Sequence, residues 1–458
     1  MKLHPMPGMA SPSAAPVGYA RRLGLFSGVM MVIGGIIGSG IFRNPQVVAQ
    51  RVHTPGLTLG VWVLGGAVAL IGAFVYGELG ARFPRAGGGY VYIRDAYGTL
   101  PAFLYAWGLL LMVATGAIAA VAVTFANYFI ALTGLAVAPN LLAGAAILLL
   151  SAVNYLGVRP GAITQNVFTV LKLAALAVVI GAGVAAAAHW IPAPAIAVDT
   201  TEAPKPLVFA LAAALVPVLF SYGGWQQTNY IAEEIIDPVR NLPRALVIGV
   251  IGVIVVYLLA NYTYLATLGA AGLAASEAPA ADAMGSLLGP AGRTFITAGI
   301  AVSTFGFLNL VILVSPRVYQ AMAADGLFFP QLARLHPRYR TPTAAIVLQS
   351  AWAIALLGLG TYGALLDYVV FADWITFAAT ASTLFVYRAR ERRGEAGAGT
   401  TPFRTFGYPV TPLLFIAAGI YVVIGSITSN PGNALKGTAL LLAGVPVYLF
   451  WKRRTAAR

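Results

Sequence analysis

The 458-residue chain has no cysteine, which excludes disulfides, thiolate-bound zinc or iron–sulfur centres and any thiol chemistry. Charge is scarce as well: Asp, Glu, Lys and Arg make up 9% of the residues, against about 25% in a soluble domain. The four histidines, His4, His53, His189 and His336, are scattered and form no ligand cluster. No grouping of His, Asp and Glu suits metal binding or acid–base catalysis, and no glycine-rich phosphate loop followed by Lys and Ser or Thr occurs. The sequence therefore gives no reason to expect an enzyme or a cofactor. Residues 1–17 are rich in Pro, Ser and Ala without an apolar core, so no cleavable signal peptide is expected and the first apolar segment should drive insertion.

What the chain has is apolar length. Hydrophobic residues make up 59% of it and the mean hydropathy is +0.83, as in an integral membrane protein. Apolar runs of about 18 residues or more mark twelve candidate spans. They lie at 25–48, 57–80, 100–133, 138–158, 163–188, 207–235, 243–270, 291–323, 343–360, 363–387, 409–428 and 433–451. The third and eighth exceed what a perpendicular crossing needs, which implies tilt. An even number puts both termini on one side, and that side carries most of the Lys and Arg. The opposite face holds only Arg51, Lys205, Arg293 and Lys436, so both termini are predicted to be cytoplasmic. The excess of 28 Lys and Arg over 14 Asp and Glu is spread between apolar segments, not gathered on a soluble face, and nucleic acid is not an expected partner. The implied organisation is a cytoplasmic tail at 1–22, a ten-helix core at 23–390, a cytoplasmic loop at 391–408, two further helices at 409–451 and a tail at 452–458. The stretch from Trp190 to Pro206, with four prolines, reads as an extended outer connector.

Two spans cannot be continuous helices. Gly34-Gly35-Ile36-Ile37-Gly38-Ser39-Gly40-Ile41-Phe42 carries four glycines in the middle of the first span, each costing about 1 kcal/mol in a helix interior. Pro217 followed by Phe220-Ser221-Tyr222-Gly223-Gly224-Trp225 predicts a second unwound turn in the sixth. Broken backbone at membrane depth is tolerated where it lines a cavity. Two breaks five helices apart point to a five-plus-five inverted repeat with its site between them. Small-residue packing faces also account for many membrane glycines, but they do not require the polar cluster after Gly224. The free amides of Ser39, Gly40 and Ile41 open the outer half-helix and suit a carboxylate. The carbonyls near Ile36, Ile37, Phe220 and Ser221 close two other half-helices and suit an ammonium. Together they describe an α-amino acid. Phe220 and Trp225 could cover it or merely pack between helices. Neither break carries a charged side chain, which favours a neutral zwitterion over a dication.

The Gly35–Phe42 run and the Phe220–Trp225 run resemble the amino acid–polyamine–organocation superfamily, and within it the bacterial relatives of the L-type amino acid transporters. Tyr76-Gly-Glu-Leu-Gly80, Pro84-Arg-Ala-Gly-Gly88, Glu233-Glu234-Ile-Ile-Asp237-Pro238, Asn241-Leu-Pro-Arg244, Gly306-Phe-Leu-Asn309 and Asp325-Gly326 are similar in the same order. The resemblance implies a LeuT-type all-α fold, with broken helices one and six and two helices beyond the ten-helix core, and amino acid uptake or exchange by alternating access. It places carboxylate binding on Gly38, Ser39 and Gly40, an aromatic gate on Phe220 and the adjoining Trp on Trp225. Lys172 matches a family lysine that stands where sodium-coupled relatives hold an ion. Two departures are Gly89, where an acidic residue is common, and Arg43, where an apolar one is. Arg43 falls one turn beyond the carboxylate site and could bear on selectivity. Eukaryotic relatives join a heavy chain through a disulfide, which a chain without cysteine cannot form.

Lys172, near the centre of its span, costs about 2.5 kcal/mol or more on insertion scales and so needs a partner. It can tether the first helix, replace a sodium ion, or exchange a proton during transport. Asp373, in Phe371-Ala-Asp-Trp374, reads as an exposed or hydrogen-bonded carboxylate near the outer end of the tenth span. Glu78, Glu233 and Glu234 lie near Arg82, Arg85, Arg240 and Arg244 at predicted cytoplasmic helix ends. They read as a solvated ionic face, or as an inner latch built from Glu233, Glu234, Arg82 and Arg244. The expected activity is secondary transport of neutral L-amino acids across a bacterial inner membrane, by exchange or proton symport. A polyamine or organic-cation antiporter, or an amino acid sensor, are the competing readings.

Overall fold

The computed structural model describes residues 18–191, 206–359, 362–429 and 431–456. The expectations for most of the N-terminal tail, most of the 190–206 connector and the last two residues fall outside them. The first span is two helices, α1 (Leu25–Ile36) and α2 (Gly40–Val52), meeting at 43°. After α3 (Pro55–Arg82) the chain forms α4 (Gly89–Tyr97) and α5 (Thr99–Gly108). A π-turn at Leu109–Val113 leads into α6 (Ala114–Thr133). Then come α7 (Pro139–Tyr155), α8 (Val158–Ala187) and α9 (Leu207–Ser221). A 3₁₀ segment, Trp225–Glu234, continues α9 beyond its break. The chain ends with α10 (Pro238–Ala275), α11 (Pro279–Val314), α12 (Pro316–Ala324), α13 (Thr343–Leu359), α14 (Tyr362–Arg392), α15 (Val410–Ser429), α16 (Pro431–Leu442) and α17 (Gly444–Ala456).

Among the described residues, eight helices are long and apolar enough to cross a membrane, or nine if α1 and α2 form one span. This is a polytopic helical membrane protein. The two shorter apolar helices, α7 and α13, have 17 residues each, or about 25 Å, somewhat less than the roughly 30 Å of a hydrocarbon core. Three segments differ from a plain-helix reading. The third contains the π-turn, where the Thr115 hydroxyl donates to the Leu110 carbonyl at 2.6 Å. The second part of the sixth is 3₁₀, with Ile231 out of helical geometry. The eighth is preceded by a helical stretch from Pro279 that breaks at Gly289 (φ +65°), just before the expected start at 291, and it divides at Ser315.

Helix α1 is the centre of the bundle, packed by α8, α10 and α11. Its Met31, Val32 and Ile36 are buried. Small residues permit this approach, as membrane helices require in the absence of a hydrophobic driving force. A side chain at Gly34 would run into Gln165 and Thr169 of α8, and one at Gly249 of α10 into Val32. The result fixes the end of α1, and therefore the break, at the middle of the fold.

Candidate functional site

The two breaks touch. A Cβ on Gly35 would lie 2.8 Å from the Gly224 carbonyl oxygen, and one on Gly224 would strike the Gly35 carbonyl. Gly224 also has φ +105°, a conformation that a side chain disfavours. Backbone freed by unwinding has to find partners inside the protein, and three neighbouring helices supply them. Lys172 Nζ of α8 donates to the carbonyls of Gly34 (3.1 Å) and Ile37 (2.7 Å). Ser303 of α11 donates to Ile37 or Gly38, 3.2 Å from each carbonyl oxygen. The Tyr257 hydroxyl of α10 lies 3.0 Å from the Ile36 carbonyl and 3.1 Å from that of Ser221, bridging the two broken spans. Asn44 of α2 reaches across to Ser221 Oγ at 2.7 Å and to the Pro217 carbonyl at 3.0 Å.

Against this frame lies a cavity with about 910 Å³ of empty space, its open mouth included. One wall is the break itself, with Gly35, Ile36, Gly38, Ser39 and Gly40. Facing it are Phe220, Ser221, Gly223 and Gly224 of the second break, with Gln226, Gln227 and Tyr230 of the 3₁₀ segment. The π-turn supplies Leu109 and Val113, and α14 supplies Asp373, Trp374 and Phe377. Among the described residues, the amides of Ser39, Gly40 and Ile41 donate to no protein acceptor, as the first turn of a helix leaves them. The carbonyls are less uniformly free. Ile36 already accepts from Gly38 N–H and Tyr257, and Ile37 from Lys172 and Ser303. Phe220 accepts from the Gly223 N–H, and Ser221 from Tyr257. Acceptor capacity therefore remains mainly on the second break.

The residues singled out from sequence separate into two groups. Ile36, Gly38, Ser39, Gly40, Phe220, Ser221 and Gly223 line the cavity; Ile37, Ile41, Tyr222, Trp225 and Arg43 do not. Ile37 and Ile41 are buried behind the break. Tyr222 turns away to pack on Trp62 and Tyr257, with ring centroids 5.8 and 5.1 Å distant. Trp225 does not cover the cavity: it packs among Tyr76, Phe377 and Phe415, with centroids 5.0 to 6.2 Å away, over the space that Gly72 leaves open. Arg43 is exposed on α2 and off the wall. Gly89 opens α4 against the Tyr105 hydroxyl, where a Cβ would lie at 2.7 Å.

Asp373 corrects the bland reading. It lines the cavity, and among the described residues that do so it is the one with a charged side chain. Tyr257, Tyr230 and the π-turn were also missed. A tyrosine or leucine in a helix that is apolar on all sides carries no signal of which way it faces.

The ionic residues singled out from sequence are not a single set: Arg85, Arg240 and Arg244 are exposed, whereas Glu78, Arg82 and Glu234 are buried. Glu78 and Arg82 are buried together, Nη2 to Oε1 2.8 Å, and Arg388 of α14 closes on Glu78 at 2.6 Å. The Thr405 amide adds a 2.7 Å hydrogen bond to Glu78, and Arg82 continues to Glu391 at 2.7 Å. Glu391 is held at a pKa of about 2 by its hydrogen bonds to Arg404 and Arg82. Glu234 pairs instead with Arg317 of α12 at 2.8 Å, both side chains wholly buried. Its backbone carbonyl accepts from Arg22 and Leu23, which ties the start of the described chain to the sixth span. Glu233 accepts from the Ala86 amide at 3.2 Å. Arg244 is exposed and pairs with neither glutamate. The four-residue latch is thus two separate buried networks, in α3–α14 and in the 3₁₀ segment–α12, with Arg244 in neither.

Comparison with known proteins agrees with this architecture. The family model described as amino acid permease matches residues 23–450. The large neutral amino acids transporter small subunit 2 of Oryctolagus cuniculus is 33% identical, covering 97% of this chain and 83% of its own. The b(0,+)-type amino acid transporter 1 of Homo sapiens is 32% identical over 94% of this chain and 88% of its own. The Asc-type amino acid transporter 1 of Mus musculus is 32% identical, covering 96% and 83%. The match is continuous from the first broken helix nearly to the end of the chain, and these relatives are transporters, not enzymes: the chain belongs to the amino acid permease family of the amino acid–polyamine–organocation superfamily.

Proposed function

We propose that the protein is a secondary transporter that moves L-α-amino acids across the cytoplasmic membrane by alternating access. The observation that carries this is the convergence on one cavity of the unpaired amides that open α2 and the carbonyls of Phe220 and Ser221, each of which accepts one hydrogen bond and keeps a free lone pair. The amides receive the substrate carboxylate and the carbonyls its α-ammonium, using the partial charges of helix ends. The two breaks themselves contribute no charged side chain, which suits neutral substrates. The names of the three relatives support an amino acid as the solute.

In this reading the chain makes twelve crossings. The two broken spans occupy equivalent places in a LeuT-type inverted repeat, and both termini are cytoplasmic, as the distribution of Lys and Arg favours. Lys172 holds the break from a position that can also exchange a proton, so exchange and proton symport both fit its geometry. The test is uptake of a panel of labelled amino acids into proteoliposomes, empty or preloaded, with and without an inward proton gradient. Uptake confined to preloaded vesicles means exchange, and gradient-stimulated uptake into empty ones means symport. Saturable binding without uptake in any condition would replace the transporter by a sensor.

A further inference from the structure

Asp373 has no assigned work. Among the described residues its carboxylate enters no hydrogen bond and no ion pair, although it faces the cavity. Among the described residues no Lys, Arg or His lines that cavity, and Lys172 is engaged by the carbonyls of the break. The titratable groups around it are hydroxyls: Tyr76 of α3, Tyr105 of α5 and Tyr230 of the 3₁₀ segment lie within electrostatic range. Tyr105 donates to Tyr230 at 2.9 Å, so these two are already linked to each other. The cavity wall adds the neutral polar side chains of Gln226 and Gln227 and an apolar stretch that includes Leu109, Val113 and Phe377. A carboxylate within a membrane bundle normally has a partner or marks a substrate path, and here the described residues of the cavity wall supply no cation.

We propose that Asp373 is the receptor for a second positive charge on the substrate, the side-chain ammonium or guanidinium of a cationic α-amino acid. The α-carboxylate and α-ammonium sit on the helix ends as in the proposed transport reaction, on which this inference rests. The methylene stem lies along the apolar wall, and the terminal cation meets the carboxylate of α14. Charge-assisted hydrogen bonds are the stronger kind, and they gain from a low local dielectric. Desolvating the incoming cation offsets part of that gain, so the cavity accepts cationic substrates beside neutral ones without excluding the latter. Sequence pointed to neutral substrates because it considered the two broken helices alone; the charge comes from a third helix.

L-lysine and L-norleucine share a stem and differ by the terminal ammonium. The experiment is competition of each, and of L-ornithine, against uptake of labelled L-alanine or L-leucine in proteoliposomes, with wild type and Asp373→Asn. The wild type should be inhibited by lysine or ornithine at concentrations no more than a few-fold above norleucine. In Asp373→Asn the ratio of lysine to norleucine potency should fall at least tenfold. Neutral uptake that lysine and ornithine leave untouched in the wild type would overturn the inference while leaving amino acid transport standing. An unchanged ratio in the variant would overturn it as well. Should no amino acid be taken up at all, transport itself fails. Protection of the purified wild type against heating by lysine, relative to norleucine, then decides the binding claim without any variant.

Discussion

Lys172 Nζ lies 2.7 Å from the carbonyl oxygen of Ile37 and 3.1 Å from that of Gly34, so the cation of α8 holds the end of α1 open across the break. Hydrogen bonds to charged groups contribute about 1.5–3 kcal/mol each. Lys172→Ala removes both and leaves the Gly34 carbonyl without its α8 donor. Substrate affinity, read from heat protection of the purified protein by its best amino acid, should fall at least tenfold. Undiminished affinity would mean that the tie does not shape the site.

Tyr257→Phe tests the bridge between the two breaks. The hydroxyl is shared between the Ile36 and Ser221 carbonyls, 3.0 and 3.1 Å away. Its loss should cost about 1–2 kcal/mol, a factor of about 5–30 in substrate affinity. The ring stays packed on Trp62 and Tyr222, so the change in thermal stability should be smaller than the change in binding.

Glu234 and Arg317 form a wholly buried pair. Removing one partner of such a pair typically costs about 3–5 kcal/mol, because the other charge is stranded. Glu234→Gln should therefore lower the thermal midpoint in detergent clearly, and Glu234→Gln with Arg317→Met should recover most of the loss. Equal stability of wild type and the single variant would show that the pair is not a structural tie.

Acid sensitivity has a separate source. Glu391 has a pKa of about 2 in the folded chain, against an ordinary value of 4.5, because Arg404 and Arg82 favour its charged form. Its stabilising contribution is complete above about pH 4.5 and is lost as the pH falls toward 2. Glu391→Gln should be less stable than wild type at pH 6, with the difference narrowing as the medium is acidified from 4.5 toward 3. A difference that does not depend on pH would rule out this ion pair as the cause.

The two breaks were legible because unwinding a membrane helix leaves strong local marks. Four glycines at 34–40 and the Pro217–Gly224 cluster put the ends of α1 and α9 at Ile36 and Ser221. Facing was not legible. In a bundle where helices are apolar on both the lipid side and the core side, periodicity carries little phase. That is why Trp225 proved to pack on Phe415 while Asp373 turned to the cavity. Burial of Glu78 and Glu234 was hidden for a related reason. Glutamates near helix ends look solvated until partners from distant segments, Arg388 and Arg317, close over them.

The measurement that goes most directly to the central claim compares L-alanine with its methyl ester, its amide and N-acetyl-L-alanine as competitors of labelled alanine uptake in proteoliposomes. If the α2 amides bind the carboxylate and the carbonyls of the second break bind the ammonium, unmodified alanine competes and all three analogues lose at least tenfold in potency. If the ester or the N-acetyl compound competes as well as alanine, the two helix ends do not hold the two charges and the account is wrong.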